Sequence, residues 1–453
     1  MQHLSAFALV AFVAASPAWA ADVIVTPRGS LSGPAPWRVP PAPAASSAPP
    51  AATARVAPMV AGTDTALSAT AAATTPCWVS KSLAATGTYV DALKSIDGAV
   101  KTFIRDRQIP AANLVVRYKG TVVLERGYGW QDNACKTRMG YGGSFRLASL
   151  TKMLTNAQVY ALEREGRLRL SDPVFCISGQ SRCILTVTGL VNPDPRLAKV
   201  TVQHLLDHAG GLNASISGNP TDDVRLVATN LGVPSPPSRN DILRHHLGNR
   251  TLDFEPGSQQ HYSNFGYVVL GAVIEKAAGK SYVAYLQQSV LQPLGIAASD
   301  IKLAGTRTAD LDTREPWYST PNEPGQYRNV YDNGPLNVPL AYGGFHIESG
   351  GGAGMLQATA RAYSKFLSAY WISGVRKSDF PCHCLYLFYG SIPGSFVVAY
   401  QPNPDVDIAL FFDQRDDAND PWGERYGPVR DALDVALAKV TSWPTKAPSG
   451  HQP

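Results

Sequence analysis

The chain has 453 residues, of which 45% are hydrophobic and 17% are charged, a composition that suits a globular protein with a large core. Its formal net charge of +5 is spread along the chain without a long basic run, which argues against nucleic acid as a partner. Length alone allows one large unit or two or three smaller ones.

The N-terminal segment predicts export. Residues 6–15 form a short apolar run, Pro17 follows it, and residues 18–20 supply the small side chains that a signal peptidase needs. Because this run is shorter than the about 20 apolar residues of a membrane-spanning helix, we predict a cleaved signal peptide over 1–20 and no stable membrane insertion afterwards. Residues 21–76 are rich in Pro and Ala, which predicts a disordered linker. The expected location is periplasmic or secreted.

The six cysteines are even in number and fit an oxidising compartment. Cys176 and Cys183 are close enough in sequence to close a small loop, and a bond between Cys77 and Cys135 would tie the start of the folded domain to the strands that follow. Other pairings remain open. Zinc is the alternative for residues 382–384, Cys-His-Cys, but no second ligand pair at metal spacing accompanies them, so we predict no metal and no cofactor.

Helix and strand patterns then follow in chain order. A helical pattern over 90–105 precedes two strands, 114–118 and 121–128, which turn at Lys119-Gly120. Near the other end, a second hairpin and an amphipathic helix are predicted, over 396–400, 408–412 and 428–440. The chain between them predicts helices over 201–208, 241–247, 265–278, 282–291 and 359–370.

These patterns predict one folded domain over 77–445 and a disordered tail over 446–453. Strands come from both ends of the domain and helices from its middle. The predicted fold class is therefore α/β of the α+β kind, with an antiparallel sheet flanked by helices and a mostly helical inserted subdomain.

Ser149 and Lys152 are the first candidates for catalysis. They precede an apolar pattern at helical spacing, so Ser149 should lie near a helix N-terminus with Lys152 one turn later on the same face. A serine hydroxyl needs a base to become a good nucleophile, and a buried lysine with a lowered pKa can act as that base. The same S-x-x-K spacing recurs at Ser299 and Lys302, but no apolar helical run follows, and we interpret it as coincidence.

Further segments carry a family pattern. The stretch 145–174 contains the S-x-x-K pair, 202–212 reads VQHLLDHAGGL, and Tyr262-Ser263-Asn264 follows a Phe-Glu-Pro-Gly sequence at 254–257. In these segments the chain resembles the serine β-lactamase and penicillin-binding-protein family, particularly its class C β-lactamase, D-alanyl-D-alanine carboxypeptidase and esterase branch. The resemblance implies a β-lactamase-like fold and an acyl-enzyme mechanism.

Tyr262 is the third candidate catalytic residue. A phenol beside Ser149 and Lys152 can relay a proton between nucleophile and leaving group, as a tyrosinate or as a neutral hydrogen-bonded phenol. Asn264, two residues later, would point the same way in an extended segment and could hydrogen-bond both Lys152 and a substrate amide.

The family's third element, a strand with K-T-G or H-x-G, is matched best by residues 388–394. Gly390 would let the strand approach the substrate, and the Ser391 amide could join that of Ser149 in an oxyanion hole. Phe388 occupies the position where the family usually has Lys or His. We therefore expect neutral esters to be better substrates than anionic β-lactams, unless another cation, such as His383, replaces the missing one.

Four histidines could either bind a metal or have a structural role. His204 and His208 lie four apart on a predicted helix, as metal ligands can, but no third ligand is evident and we predict a structural role for both. His245 and His246 are predicted to lie at the surface.

The sequence thus predicts an exported serine hydrolase that acts through an acyl-enzyme on a small-molecule or cell-wall peptide substrate. The scissile bond would be an ester or amide, as in a short ester, a β-lactam or a D-Ala peptide. One alternative is a catalytically reduced β-lactamase-fold protein that binds a cell-wall fragment or a partner. The other is a wall-tethered scaffold whose Pro/Ala-rich arm does the work.

Overall fold

The computed structural model describes residues 77–177, 182–320, 325–380, 386–415 and 428–448. The predicted signal peptide and linker lie outside these ranges. So do residues 382–384, the alternative zinc motif, and 449–453, most of the predicted tail.

The strands, in chain order, are β1 Ala85–Thr86, β2 Ala111–Tyr118, β3 Thr121–Gly129, β4 Ser144–Arg146, β5 Ile301–Leu303, β6 Tyr327–Arg328, β7 Asn337–Val338, β8 Leu356–Thr359, β9 Tyr386–Ile392, β10 Ser395–Asn403 and β11 Val406–Phe412. The α-helices are α1 Cys77–Ser80, α2 Lys94–Asp106, α3 Thr151–Arg164, α4 Val202–Leu206, α5 Ala214–Ser217, α6 Val224–Leu231, α7 Arg239–Leu247, α8 Asn264–Ala278, α9 Tyr282–Leu286, α10 Ala360–Ala369 and α11 Pro428–Leu437.

A six-stranded antiparallel sheet joins the two ends of the domain, in the order β1-β3-β2-β11-β10-β9. The predicted hairpins are both present, and β2 of the first pairs along its length with β11 of the second. The predicted fold class is confirmed. A smaller sheet, β4-β8-β5, lies at the start of the segment that carries Ser149.

The large sheet separates two hydrophobic cores. On β11, Phe411 packs into the core with the inserted helices, whereas the next residue, Phe412, packs into the core with α2 and α11. Adjacent side chains of a strand point to opposite faces, so a strand buried on both faces is apolar throughout, as β11 largely is. The terminal helices cover one face, and α3, α8 and α10 cover the other.

Both suggested disulfides are present, Cys77–Cys135 and Cys176–Cys183. The helix predicted over 282–291 is α only to Leu286 and continues as a π-turn over Gln287–Leu291. The surface prediction was wrong for His246, which is 5% exposed and packs against Phe265 with 4.3 Å between ring centroids. Within the described ranges, no helix is long and apolar enough to cross a membrane.

Candidate active site

Ser149 lies at the start of the predicted nucleophile helix. It occupies a 3-10 turn, Ala148–Leu150, that leads directly into α3. Ala148 has a φ of 46°, which a residue with a side chain rarely adopts, and this sharp bend precedes Ser149. Surrounding contacts hold the turn in place, because Tyr363 donates a hydrogen bond to the Leu150 carbonyl at 3.0 Å.

Lys152 is fully buried one turn after Ser149. Its Nζ lies 2.9 Å from the Ser149 Oγ, 2.7 Å from the Asn264 Oδ1 and 3.0 Å from the Ala353 carbonyl oxygen. Burial lowers the pKa of Lys152 well below its usual range, because the ammonium form loses its hydration. This environment therefore favours the uncharged amine more strongly than water does.

Tyr262 completes the group around the nucleophile, with its hydroxyl 2.7 Å from the Ser149 Oγ. The ring is half-buried, but protein surrounds the hydroxyl, and this loss of hydration raises the pKa of Tyr262 above its usual value of about 10. Of the two forms expected, the neutral phenol is the one that this environment favours. Ser263 is the extended N-cap of α8, so Tyr262 and Asn264 reach the same group, as the spacing predicted.

His208 supports the segment that carries Tyr262. Its ring centroid lies 4.7 Å from that of Tyr262 and 5.0 Å from that of Tyr267, and its Nδ1 accepts a hydrogen bond from the Ser263 N–H at 3.1 Å. Burial is the main reason that the pKa of His208 is lowered to about 3. These contacts agree with the predicted structural role. His204 likewise accepts a backbone hydrogen bond, at the start of α4.

The third predicted element is β9, the edge strand beside Ser149. Phe388 is 6% exposed and packs into the core on the face of the inserted helices. Gly390 packs against the turn that carries Ser149: a β-carbon there would lie 2.4 Å from the Leu147 carbonyl oxygen and 3.1 Å from the Leu150 nitrogen. Its missing side chain thus allows a close approach to this nucleophile turn, and its approach to a substrate stays a prediction.

Comparison with known proteins identifies the family of the chain. Residues 96–380, more than half of the chain, match the family model described as Beta-lactamase. The chain belongs to the β-lactamase family.

Two curated relatives show how far the similarity extends. The chain is 30% identical over 213 residues to protein flp of Staphylococcus aureus (strain COL), a match that covers 47% of this chain and 39% of the relative. It is 29% identical over 254 residues to esterase EstB of Burkholderia gladioli, covering 55% of this chain and 59% of the relative. The chain therefore spans well under two thirds of either relative.

Solved structures share the fold over a larger part of the chain. The D-amino acid amidase of Ochrobactrum anthropi SV3 superposes with a TM-score of 0.56 at 20% identity, covering 78% of this chain and 100% of that one. A penicillin-binding protein homologue from Pyrococcus abyssi superposes with a TM-score of 0.51 at 19% identity, covering 78% and 80% of the two chains.

In this β-lactamase-family chain, a cleft of about 100 Å³ opens over Ser149. Asn264 and Ser391 line it, as predicted, and its apolar walls come from Phe345, Ile347, Ile392 and Pro393. Sequence reasoning missed two charged residues at its edge, Asp222 and Arg415. No sequence pattern marks either one, because they follow a loop and a strand that approach Ser149 only in the folded chain.

A larger groove, about 1010 Å³, lies between α2 and α11 on the far face of the sheet. None of the candidate catalytic residues lines it, whereas Ser149 lines the smaller cleft. Among the described residues, no cluster of three or more His, Cys, Asp or Glu side chains could hold a metal ion.

The second S-x-x-K pattern has no catalytic geometry. Ser299 lies in an exposed turn, and the Nζ of Lys302 lies 2.6 Å from a carboxylate oxygen of Asp312. The interpretation as coincidence agrees with these contacts.

Proposed function

We propose that the protein is an exported serine hydrolase that cleaves small esters or amides through an acyl-enzyme on Ser149. The observation that carries the proposal is the contact of one Oγ with both a buried lysine amine and a phenol, at 2.9 and 2.7 Å. Two of the similar proteins, an esterase and a D-amino acid amidase, also cleave acyl bonds.

Lys152 is the proposed general base. An uncharged amine has two hydrogens and one lone pair. If the hydrogens point to the acceptors Asn264 Oδ1 and Ala353 O, the lone pair faces the Ser149 hydroxyl. Ser149 then donates its proton to Lys152 as its oxygen attacks the substrate carbonyl carbon.

Tyr262 is the proposed proton donor to the leaving group. Its neutral hydroxyl contacts the attacking oxygen, so it lies beside the bond that breaks. In the second half of the reaction, water attacks the acyl carbon and the same groups move protons in the reverse direction. The backbone amides of Ser149 and Ser391 are the proposed oxyanion hole, and Gly390 is the residue that allows β9 to bring Ser391 beside the nucleophile turn.

The proposed substrates are small. The cleft volume suits a short acyl group, and the buried Phe388 offers no cation to a substrate carboxylate at the position where the family usually has one. We therefore propose esters and amides in preference to anionic β-lactams. Export is proposed from the signal-like N-terminus, and the two disulfides support it because such bonds persist in oxidising compartments.

The test is covalent labelling of the purified protein with a fluorophosphonate, which reacts with activated serines. The parent protein should gain one adduct per chain, on the peptide that contains Ser149, and Ser149→Ala should gain none. Ser299→Ala is the matched control and should label like the parent. Ser299 should not react in the parent, because it has no base beside it: Lys302 is paired with Asp312. Equal labelling of the Ser149→Ala protein and the parent would contradict the assignment of Ser149 as the nucleophile.

A second candidate function is a binding protein with the same fold and little turnover, which Phe388 motivates. A folded parent protein that resists labelling would favour this reading over the hydrolase.

A further inference from the structure

Two opposite charges lie at the cleft over Ser149, and the mechanism above uses neither. Among the described residues that line this cleft, Asp222 is the only one with a carboxylate and Arg415 is the only one with a guanidinium. Asp222 lies in the loop before α6, and Arg415 follows β11 by three residues, so two distant parts of the chain bring charge to one cleft. A substrate bound to Ser149 would lie beside both.

The Asp222 carboxylate has room for another partner. Its side chain is exposed to the cleft, and within the described residues Asn219 is the one hydrogen-bond donor to it, from Nδ2 to Oδ1 at 2.7 Å. Protein crowds the cleft, and the reduced hydration raises the pKa of Asp222 to about 6 although Asn219 and Arg415 act in the opposite direction. At neutral pH this carboxylate is mostly ionised, and Asn219 and Arg415 compensate its charge only in part.

We propose that Asp222 binds an ammonium group of the substrate, so that the protein prefers amine-bearing esters or amides to neutral ones of the same size. This inference rests on the proposed function for the site's location, and it adds the substrate class. The apolar walls at Phe345, Ile347 and Ile392 fit the short carbon chain that such a substrate carries next to its amine. An ammonium would donate hydrogen bonds to the carboxylate in addition to the one from Asn219.

The first experiment compares four p-nitroanilides: the two enantiomers of alanine p-nitroanilide, a propionyl analogue without the amine, and a succinyl analogue with a carboxylate. The alanine compound should have a kcat/KM about tenfold or more above that of the propionyl compound. In Asp222→Asn the ratio of the two should fall toward one. Because the amine also changes the reactivity of the carbonyl, the change in this ratio between proteins is the decisive measurement.

Asp223→Asn is the matched control. Asp223 is adjacent, exposed and acts as the N-cap of α6 outside the cleft lining, so its ratio should equal that of the parent. A ratio unchanged in Asp222→Asn would overturn the proposal. So would a preference for the succinyl compound that disappears in Arg415→Gln, since Arg415 would then select the substrate.

A second experiment separates this proposal from the proposed function. Calorimetry with the Ser149→Ala protein compares alaninamide with propionamide, and it needs no turnover. Tighter binding of alaninamide that is lost in the Ser149→Ala, Asp222→Asn double variant would support the ammonium site even if the parent protein failed to label. Equal binding of the two amides would reject the site even if Ser149 labels.

Discussion

At the scale of single residues, replacement of each of two lysines by methionine tests which of them acts as the proposed base. Lys152 and Lys302 both follow a serine at S-x-x-K spacing, but Lys152 is fully buried against Asn264, whereas Lys302 is half-buried and paired with Asp312. Burial without a carboxylate favours the uncharged amine, whereas an adjacent carboxylate favours the ammonium. Environment therefore decides which of two identical motifs can act as a base.

Lys152→Met should lower the rate of fluorophosphonate labelling by about 10²- to 10⁴-fold, the contribution typical of a general base. Lys152→Arg should fare no better, because arginine stays protonated and cannot accept the serine proton. Lys302→Met is the control: it should label at the parent rate and lose about 1 kcal/mol of stability or less, as partly exposed ion pairs do. Rapid labelling of Lys152→Arg would show that a positive charge, and not a base, activates Ser149.

The sequence was sufficient for the local parts of this site. Helical spacing placed Lys152 beside Ser149, and alternation placed Asn264 beside Tyr262, because both patterns depend on neighbours in the chain. Asp222 and Arg415 were not predictable, since their approach to Ser149 depends on how a loop and a strand end pack. The burial of His246 was missed for the same reason, because its partner Phe265 belongs to a different helix.

At the scale of elements, the position of β9 depends on one glycine. Gly390 faces the backbone of the turn before α3, and any β-carbon there would overlap the Leu147 carbonyl. The family motif identified this glycine and predicted that it approaches the substrate, but it did not predict the contact with the turn. Contact between the strand and the nucleophile turn is what the folded chain adds.

Gly390→Ala should displace β9 from the turn, with a stability loss of about 1 to 3 kcal/mol, as overpacking produces, and a large loss of Ser149 labelling. The matched control is Gly98→Ala in α2, where nothing lies within 4 Å of the added carbon. That variant should gain about 0.4 to 1 kcal/mol and keep its labelling, because alanine suits a helix better than glycine. Chemical denaturation and labelling of both variants check the pair; parent-like behaviour of Gly390→Ala would contradict the close contact.

At the scale of the whole molecule, pairing of the N-terminal and C-terminal hairpins makes the sheet, and the segment inserted between them carries the proposed catalytic residues. The sheet was predictable because its strands are apolar and its turns are marked, whereas the packing of the inserted helices on one another was not. That packing buries two uncharged histidines, His208 behind Tyr262 and His246 against Phe265. The pKa of each is lowered to about 3, mainly by burial.

These histidines should make the fold sensitive to acid. Between pH 6.5 and about 3 the unfolded chain binds a proton at each histidine while the folded chain does not, so stability falls as the pH falls. Buried carboxyl groups such as Asp413, whose pKa burial raises, act in the opposite direction, so the total slope does not isolate either contribution. The difference in free energy of unfolding between the parent and a histidine variant, followed against pH, isolates the contribution of that histidine.

His246→Leu removes one of these titrating groups while keeping an apolar side chain against Phe265. Between pH 7 and pH 4.5, the free energy of unfolding of the variant should rise by about 2.5 kcal/mol relative to that of the parent. The reason is that only the parent's unfolded state gains a proton at this position, and the expectation holds whatever the difference at pH 7. Urea unfolding at a series of pH values measures the difference. His245→Gln, at a neighbouring half-exposed histidine that stays better hydrated, should change the slope much less. A constant difference between the parent and His246→Leu from pH 7 to 4.5 would mean that His246 takes up its proton in the folded protein as readily as in the unfolded chain.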